Sequence, residues 1–280
     1  MNKIDKIYVI NVPKAADRLQ RIKTLLKEER ISIPIEYVKA TYWKDAEFEK
    51  LVSSKTIAPH KNWEDWFAVH NDREMWQDSV KMNLGQMACC YSHLKVLEQI
   101  RDRKETALIL QDDCFWEKPG QLQYEIDCYH DLILQHNDFG IYYIGRSEVW
   151  DDPEKAYKKT EFLQPNYSWN AHAFIISHIS CDKILNDKIF KQMIPFDEYL
   201  PICWGKSPYI DEDYAQYNEE VSKTHNNGKL IDAVSSPRYD IIFQGNETCV
   251  CPRDKVGKEI MLNFVNSDIG ESGEYSWEEE

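Results

Sequence analysis

A chain of 280 residues, 42% hydrophobic and 29% charged with only 10 Gly and 11 Pro, has room for one large or two small domains and is neither disordered nor fibrous in composition. A formal net charge of −14 argues against nonspecific binding to nucleic acid or to an anionic membrane surface. An anionic ligand therefore needs a local device at its own site.

The apolar run Ile7 to Val12 is too short for a signal-peptide core, and no small-residue cleavage site follows it. No stretch approaches the ~18 apolar residues of a membrane span. The expectation is a cytoplasmic chain with its eight cysteines reduced and the sequons at Asn166 and Asn246 unused. Cys89 and Cys90 are adjacent and Cys249 and Cys251 form a lone C-x-C, without a second pair at zinc-site spacing, so they read as structural thiols.

In chain order, Ile7 to Ile10 reads as a strand ending in a turn, followed by a helix with Leu19, Ile22, Leu25 and Leu26 on one face. Ile35 to Val38 is a second strand. Leu84 to Arg103 carries a mostly apolar stripe at three- and four-residue steps, a helix, and Ala107 to Leu110 is a buried strand ending in acid. Leu122 to Leu134 reads as helix, Phe139 to Ile144 and Ala171 to Ser177 as strands, Asp182 to Phe190 as helix, and Leu230 to Val234 and Tyr239 to Phe243 as late strands. This alternation specifies an α/β sheet. From Thr41 to Met82 the aromatics Trp43, Trp63, Trp66, Phe67 and Trp76 lack a clear period, which reads as an insertion over the sheet. The last fifteen residues hold six acids and no Lys or Arg, a solvated tail. One domain over 1–265 with that insertion at 41–82, then a tail over 266–280, is the expected organisation.

Four segments carry candidate chemistry. ALILQDD delivers Asp112 and Asp113 to the carboxyl end of a strand, the edge where open α/β sheets bind ligands. Adjacent carboxylates there suit a hard divalent cation bridging a diphosphate, or simply a turn with acids capping the next segment. In IYVINVPKAADRLQR, Asn11 and Pro13 set a turn, Asp17 can cap the helix, and Lys14, Arg18 and Arg21 put positive charge near a helix start. Nucleotide binding and a plain capped helix both fit. Ser92 and His93 are neighbours on a helix, diverge by about 100° and make a poor nucleophile pair. GIYYIGRS spaces its glycines like a phosphate loop but has a strand interior and is rejected as one. In QMIPFDEYLPICWGK, Asp197 is an N-cap or a general base that takes a proton from a hydroxyl nucleophile.

Together these segments resemble glycosyltransferase family 25, which includes lipooligosaccharide and collagen hydroxylysine galactosyltransferases. IYVINVPKAADR is similar to the family's I-N-L-x-R-x-x-D-R, GQMACCYSHLKVLE to G-x-x-G-C-x-x-S-H-x-x-x-W, and LILQDD to L-I-x-E-D-D; AHAFIIS, IPFDEYL and VNSDI follow in order. Gln111 stands where the motif has its first acid, Ala88 where it has Gly before Cys89, and Leu97 near its Trp. The resemblance implies a GT-A-like α/β fold, a mixed central sheet flanked by helices, with a UDP-hexose donor, Mn²⁺ or Mg²⁺, and inversion at the sugar carbon. It further implies Asp197 as base with Glu198 as fallback, Asp112 and Asp113 on the metal, and Asn11, Pro13, Asp17, Arg18, Ser92 and His93 on the donor. Gln244 and Asp268 are late polar residues in family-like context, either of which could complete the metal or the diphosphate shell, with Gln244 taken for the metal and Asp268 for the donor. IPFDEYLPI is closer to the collagen-modifying branch, with its P-V-D-E-F-L-P, so hydroxylysine of a collagen-like protein is the first acceptor expected and a lipooligosaccharide glycan the alternative. The animal enzymes of that branch enter the secretory pathway; a chain without an entry signal fits a bacterial or viral source, acting in the host cytoplasm if viral. A homodimer is allowed for; a nucleic-acid partner is not expected. A noncatalytic glycan-binding protein would not need the acid pair, and a metal-dependent phosphohydrolase would use it to activate water.

Overall fold

The computed structural model describes residues 3–63, 81–148, 153–210, 219–225, 230–236 and 243–244. The elements in chain order are β1 (Lys6–Asn11), α1 (Ala16–Glu28), β2 (Ile35–Lys39), α2 (Ala46–Ser53), α3 (Leu84–Arg103), β3 (Thr106–Gln111) and β4 (Cys114–Phe115). Then follow α4 (Gln121–Gln135), β5 (Ile141–Glu148), β6 (Lys155–Ala156), β7 (Leu163–Gln164), β8 (Ser168–Ser177), α5 (His178–Asn186), α6 (Phe196–Trp204), α7 (Glu219–Thr224), β9 (Ala233–Ser235) and β10 (Phe243–Gln244).

Eight strands form one mixed sheet in the order β2-β1-β3-β8-β5-β9-β7-β6, and β10 pairs separately with β4. β1 lies parallel to both β2 and β3, whereas β8 runs antiparallel to β3 and β5. The C-terminal ends of β1 and β3 therefore share an edge with the N-terminal end of β8 and the C-terminal end of β5. The central strands read as continuous apolar runs because both of their faces are covered. Ile7, Val9, Leu108 and Leu110 pack with α1 and α4 through Ile22, Leu26, Leu122, Ile126 and Tyr129. Tyr8, Ile10, Ala107 and Ile109 pack on the other face with Met87, Leu94 and Leu97 of α3 and with α5 and α6. This is the mixed α/β architecture expected of a GT-A-like fold.

α3 begins at a capping box: the Asn83 side chain accepts the Gln86 N–H at 2.9 Å and the Gln86 side chain accepts the Asn83 N–H at 3.0 Å. Several expected boundaries differ: the strands expected over Phe139 to Ile144 and Ala171 to Ser177 run Ile141–Glu148 and Ser168–Ser177. The helix expected from Asp182 starts at His178, with Ser177 as its N-cap, and ends at Asn186 before a short 3₁₀ turn, because the Ser177 hydroxyl captures the Ser180 N–H. Of the strand expected over Leu230 to Val234, only Ala233–Ser235 pairs. The described part of the aromatic segment after Thr41 is structured: it contains α2, Trp43 and Phe48 are buried, Trp63 is fully buried, and Pro59 bridges to Met193. Trp66, Phe67, Trp76 and the acidic tail lie outside the described residues. Of the two sequons, Asn166 is buried with its N–H on Glu154 at 2.7 Å. Among the described residues no helix is long and apolar enough to cross a membrane.

Candidate active site

β3 carries Asp112 and Asp113 to the shared sheet edge. Asp112 is 3% exposed, and its N–H continues the strand pairing by donating to the Ile10 carbonyl at 3.0 Å. Its carboxylate accepts the Asn11 amide at 2.7 Å and the Val12 N–H at 2.9 Å, and Arg18 stands 3.8 Å from the other oxygen. Burial, then the neighbouring Asp113 charge, push its carboxyl up to about 6, while Val12, Asn11 and Arg18 pull the other way. Asn11 and Arg18 thus both reach Asp112, a contact not foreseen from the sequence, where the resemblance puts them on a donor nucleotide. Pro13 is exposed in that turn. Asp17 does not cap α1: the N-cap is Ala15, without a side-chain cap bond, and Asp17 is exposed in the first turn. Helical spacing from the first buried residue, Ile22, does not fix the start of a helix, which here falls one residue before Asp17.

Ser92 and His93 lie beneath this edge on α3, both buried. The Ser92 hydroxyl donates to the Ala88 carbonyl at 2.7 Å and accepts the Thr41 N–H at 2.8 Å, fastening the exit of β2 to α3. The His93 ring stacks on Phe196 with centroids 4.6 Å apart. Its Nδ1 donates to the Cys89 carbonyl at 3.0 Å, which leaves Nε2 of the neutral ring to accept the Gln111 amide at 3.2 Å. Burial holds the imidazole down to about 4, against the pull of the Cys89 and Ala171 carbonyls and of Asp113. Gln111 therefore does something an acid at that position would not: it gives an N–H to a neutral histidine.

α6 enters the edge from the other side. Pro195 is its N-cap and Gly205, left-handed at φ 82°, ends it. Asp197 and Glu198 occupy the first turn; Asp197 is fastened to β8 and Glu198 to Tyr167, the residue just before it. Glu198 is buried, and the Tyr167 hydroxyl donates to its two oxygens at 2.8 and 2.6 Å. Asp197 is half-buried and accepts the Asn170 N–H at 3.3 Å. Burial raises its carboxyl above the ordinary range, opposed by the backbone N–H groups of Asn170, Asp197 and Glu198. Asp197 is thus the more open of the two acids.

Cys89 of α3 lies within the electrostatic reach of all three acids: its half-buried thiol is pushed up to about 12 by burial, then by the charges of Asp197, Asp113 and Asp112. Cys89 is a member of the site that cysteine spacing alone did not single out. Its adjacency to the S-H pair on one helix is the signal that points to it.

A family model described as glycosyltransferase family 25 (LPS biosynthesis protein) matches residues 4–200. The chain belongs to glycosyltransferase family 25. The matched span contains β1, α3, β3, β8 and the acidic first turn of α6, every element that builds the edge just described. Among curated family 25 relatives, procollagen galactosyltransferase 2 of Homo sapiens is 27% identical over 219 residues, 77% of this chain and 32% of its own length. Procollagen galactosyltransferase 1-B of Xenopus laevis is 27% identical over 210 residues, 74% of this chain and 32% of its own. A glycosyltransferase 25 family member of Drosophila melanogaster is 24% identical over 73% of this chain and 31% of its own length. The chain spans about a third of the length of these relatives.

Among the described residues no three His, Cys, Asp or Glu side chains form a metal cage. The adjacent carboxylates of Asp112 and Asp113 nevertheless offer oxygen donors of the kind a hard divalent cation takes, and such an ion would offset the burial and the Asp113 charge that push Asp112 up. Gln244 pairs through its backbone with Cys114, one residue beyond Asp113. Asp268 lies outside the described residues.

Proposed function

We propose that this chain is an inverting hexosyltransferase using a UDP-sugar donor, with hydroxylysine of a collagen-like protein as its acceptor. The observation that supports the reading is that the acid pair following β3 and Asp197, held by Asn170 of the adjoining β8, belong to the same ligand-binding edge of the sheet. The acceptor oxygen attacks the anomeric carbon as the bond from that carbon to the β-phosphate oxygen breaks; UDP leaves and Asp197 takes the hydroxyl proton. Its raised carboxyl suits that role, because a base works best when its pKa approaches the working pH. Arg18 and the start of α1 face the diphosphate, Asn11 holds Asp112 in place, and Ser92 and His93 support the donor side from below. A divalent cation held by Asp112 and Asp113 would supply countercharge to the departing diphosphate.

The names of the procollagen relatives and the IPFDEYLPI segment support the collagen-like acceptor. A lipooligosaccharide acceptor is favoured by the family's description alone. Trp43 and Trp63 are buried in the core and offer no face to an acceptor. A collagen-like peptide containing hydroxylysine is expected to gain one hexose by mass spectrometry, while the same peptide with plain lysine gains none. Reaction of free or lipid-linked oligosaccharide alone would move the acceptor to the lipooligosaccharide class.

Cation dependence has its own expected result. In calorimetry, UDP binding is expected to tighten when Mn²⁺ or Mg²⁺ is added, because the ion offsets repulsion between the diphosphate and the acid pair. Asp113→Asn should remove most of that gain. UDP affinity indifferent to both the ion and the substitution would contradict the cation site.

A further inference from the structure

Asn170 has a backbone unlike that of any other residue in the sheet strands. It sits in β8 with φ 66°, in the left-handed region that a side chain other than Asn, Asp or Gly occupies at a cost. The pairing of β5 with β8 is displaced around it: Gly145 faces Ala173, but Ser147 already faces Trp169. Such irregularities re-aim the strand at a chosen point, and strained backbone in a folded core marks a place where something else fixes it. Two contacts fix it here. The Asn170 side-chain amide donates to the Ser147 hydroxyl at 2.7 Å, and the Asn170 N–H, turned out of the ladder, donates to Asp197 at 3.3 Å. The residue is 8% exposed.

We propose that Asn170 is a positioning residue for Asp197: its left-handed backbone, pinned through Ser147, holds an N–H against the carboxylate and fixes it at the edge of the sheet. The inference rests on the reading of Asp197 as the base. A regular strand at this point would give that N–H to β5 and leave the carboxylate to the start of its own helix. The other titratable groups that share the field of Asp197 are Cys89 and Cys90 of α3, Tyr143 of β5, and Glu198 on its own helix, which is engaged by Tyr167. Asp112 and Asp113 act with it on the Cys89 thiol. Among the contacts of Asp197, those that favour its ionised form are the backbone N–H groups, and Asn170 supplies the one from outside the helix.

The test compares Asn170→Ala and Asn170→Gly, each alone and combined with Asp197→Asn. Ala disfavours the left-handed backbone and withdraws the N–H; Gly adopts it freely and keeps the N–H while losing the tether to Ser147. With the hydroxylysine peptide and a UDP-sugar, Asn170→Ala is expected to move the acid limb of kcat upward by about one pH unit, a tenfold change in the ionisation equilibrium, with the donor KM little altered. Asn170→Gly should keep the limb where the parent has it. The second readout is independent of turnover: the unfolding midpoint of each Asn170 variant, with and without Asp197→Asn, is followed against pH to locate the ionisation of Asp197. A shift in that ionisation for Ala and not for Gly supports the inference even if every UDP-sugar fails as donor, an outcome that would overturn the reading of function instead. Asn170→Ala that lowers the midpoint while leaving both the acid limb and the Asp197 ionisation in place would reduce Asn170 to a structural bulge and overturn it.

Discussion

Asp197→Asn is expected to lower turnover by about 10²–10⁴-fold, the usual cost of removing a general base, while the protein stays folded and binds UDP. Asn keeps the shape of the side chain and can still accept the Asn170 N–H, so the contact to β8 survives and only the proton acceptor is lost. The same change relieves the burial of a charge, so the variant should unfold at a temperature equal to or above that of the parent near neutral pH. Glu198→Gln is the companion variant. Glu198 is buried under the Tyr167 hydroxyl, which itself accepts the Trp169 indole N–H at 2.9 Å, so its loss should act through stability and the seating of α6. Near-normal turnover in Asp197→Asn, together with a collapse in Glu198→Gln at unchanged stability, would exchange the two roles.

His93 gives the largest expected dependence of stability on pH. Its folded value, about 4, lies below the unfolded value near 6.5, so the unfolded chain takes up the proton first as the solution is acidified. Its contribution is fully present above about 6.5 and is lost as pH falls through 4, a loss of about 3 kcal/mol. Asp112 acts in the opposite direction: raised to about 6, it favours the fold below its unfolded value and withdraws that support as pH rises through 6. The two largely offset in the parent chain, which hides both. His93→Phe keeps an aromatic ring between Phe174 and Phe196 and removes the titration. Relative to the parent, its stability in urea should rise by about 3 kcal/mol as pH is lowered from 7 to 4. Parallel curves for the two proteins would mean that the imidazole is charged in the fold, contrary to its contacts with Gln111 and Phe196.

Much of this site was legible because its parts follow rules that operate locally. β1 and β3 are buried on both faces and so appear as unbroken apolar runs, and an acid pair directly after such a run marks the ligand edge of a parallel segment. Asp197 and Glu198 follow a proline that opens a helix. The unread parts depend on contacts between distant segments. Asn170 is one of several polar residues in β8, and nothing in its neighbours announces a left-handed backbone or a partner 27 residues away. Gln111 looked like the loss of a charge; its gain, an N–H for His93, emerges only when α3 packs under β3. Asp17 looked like a cap because Asp favours that position, but the chain leaves β1 through Val12 and the helix begins too early for it. The aromatic stretch after Thr41 lost its periodicity because Phe48 reaches the core from the short helix α2 and Trp43 and Trp63 from irregular segments around it.

The most direct measurement is product analysis of a screen of UDP-sugars with Mn²⁺ and the hydroxylysine peptide, following released UDP and the fate of the hexose together. The account predicts UDP release matched by one hexose on the hydroxylysine oxygen, with inverted configuration at the anomeric carbon, and loss of both products in Asp197→Asn. UDP released with only free sugar formed would make the acid-lined edge a hydrolytic site, and sugar bound with no UDP released from any donor would make the chain a glycan-binding protein; either result contradicts the account.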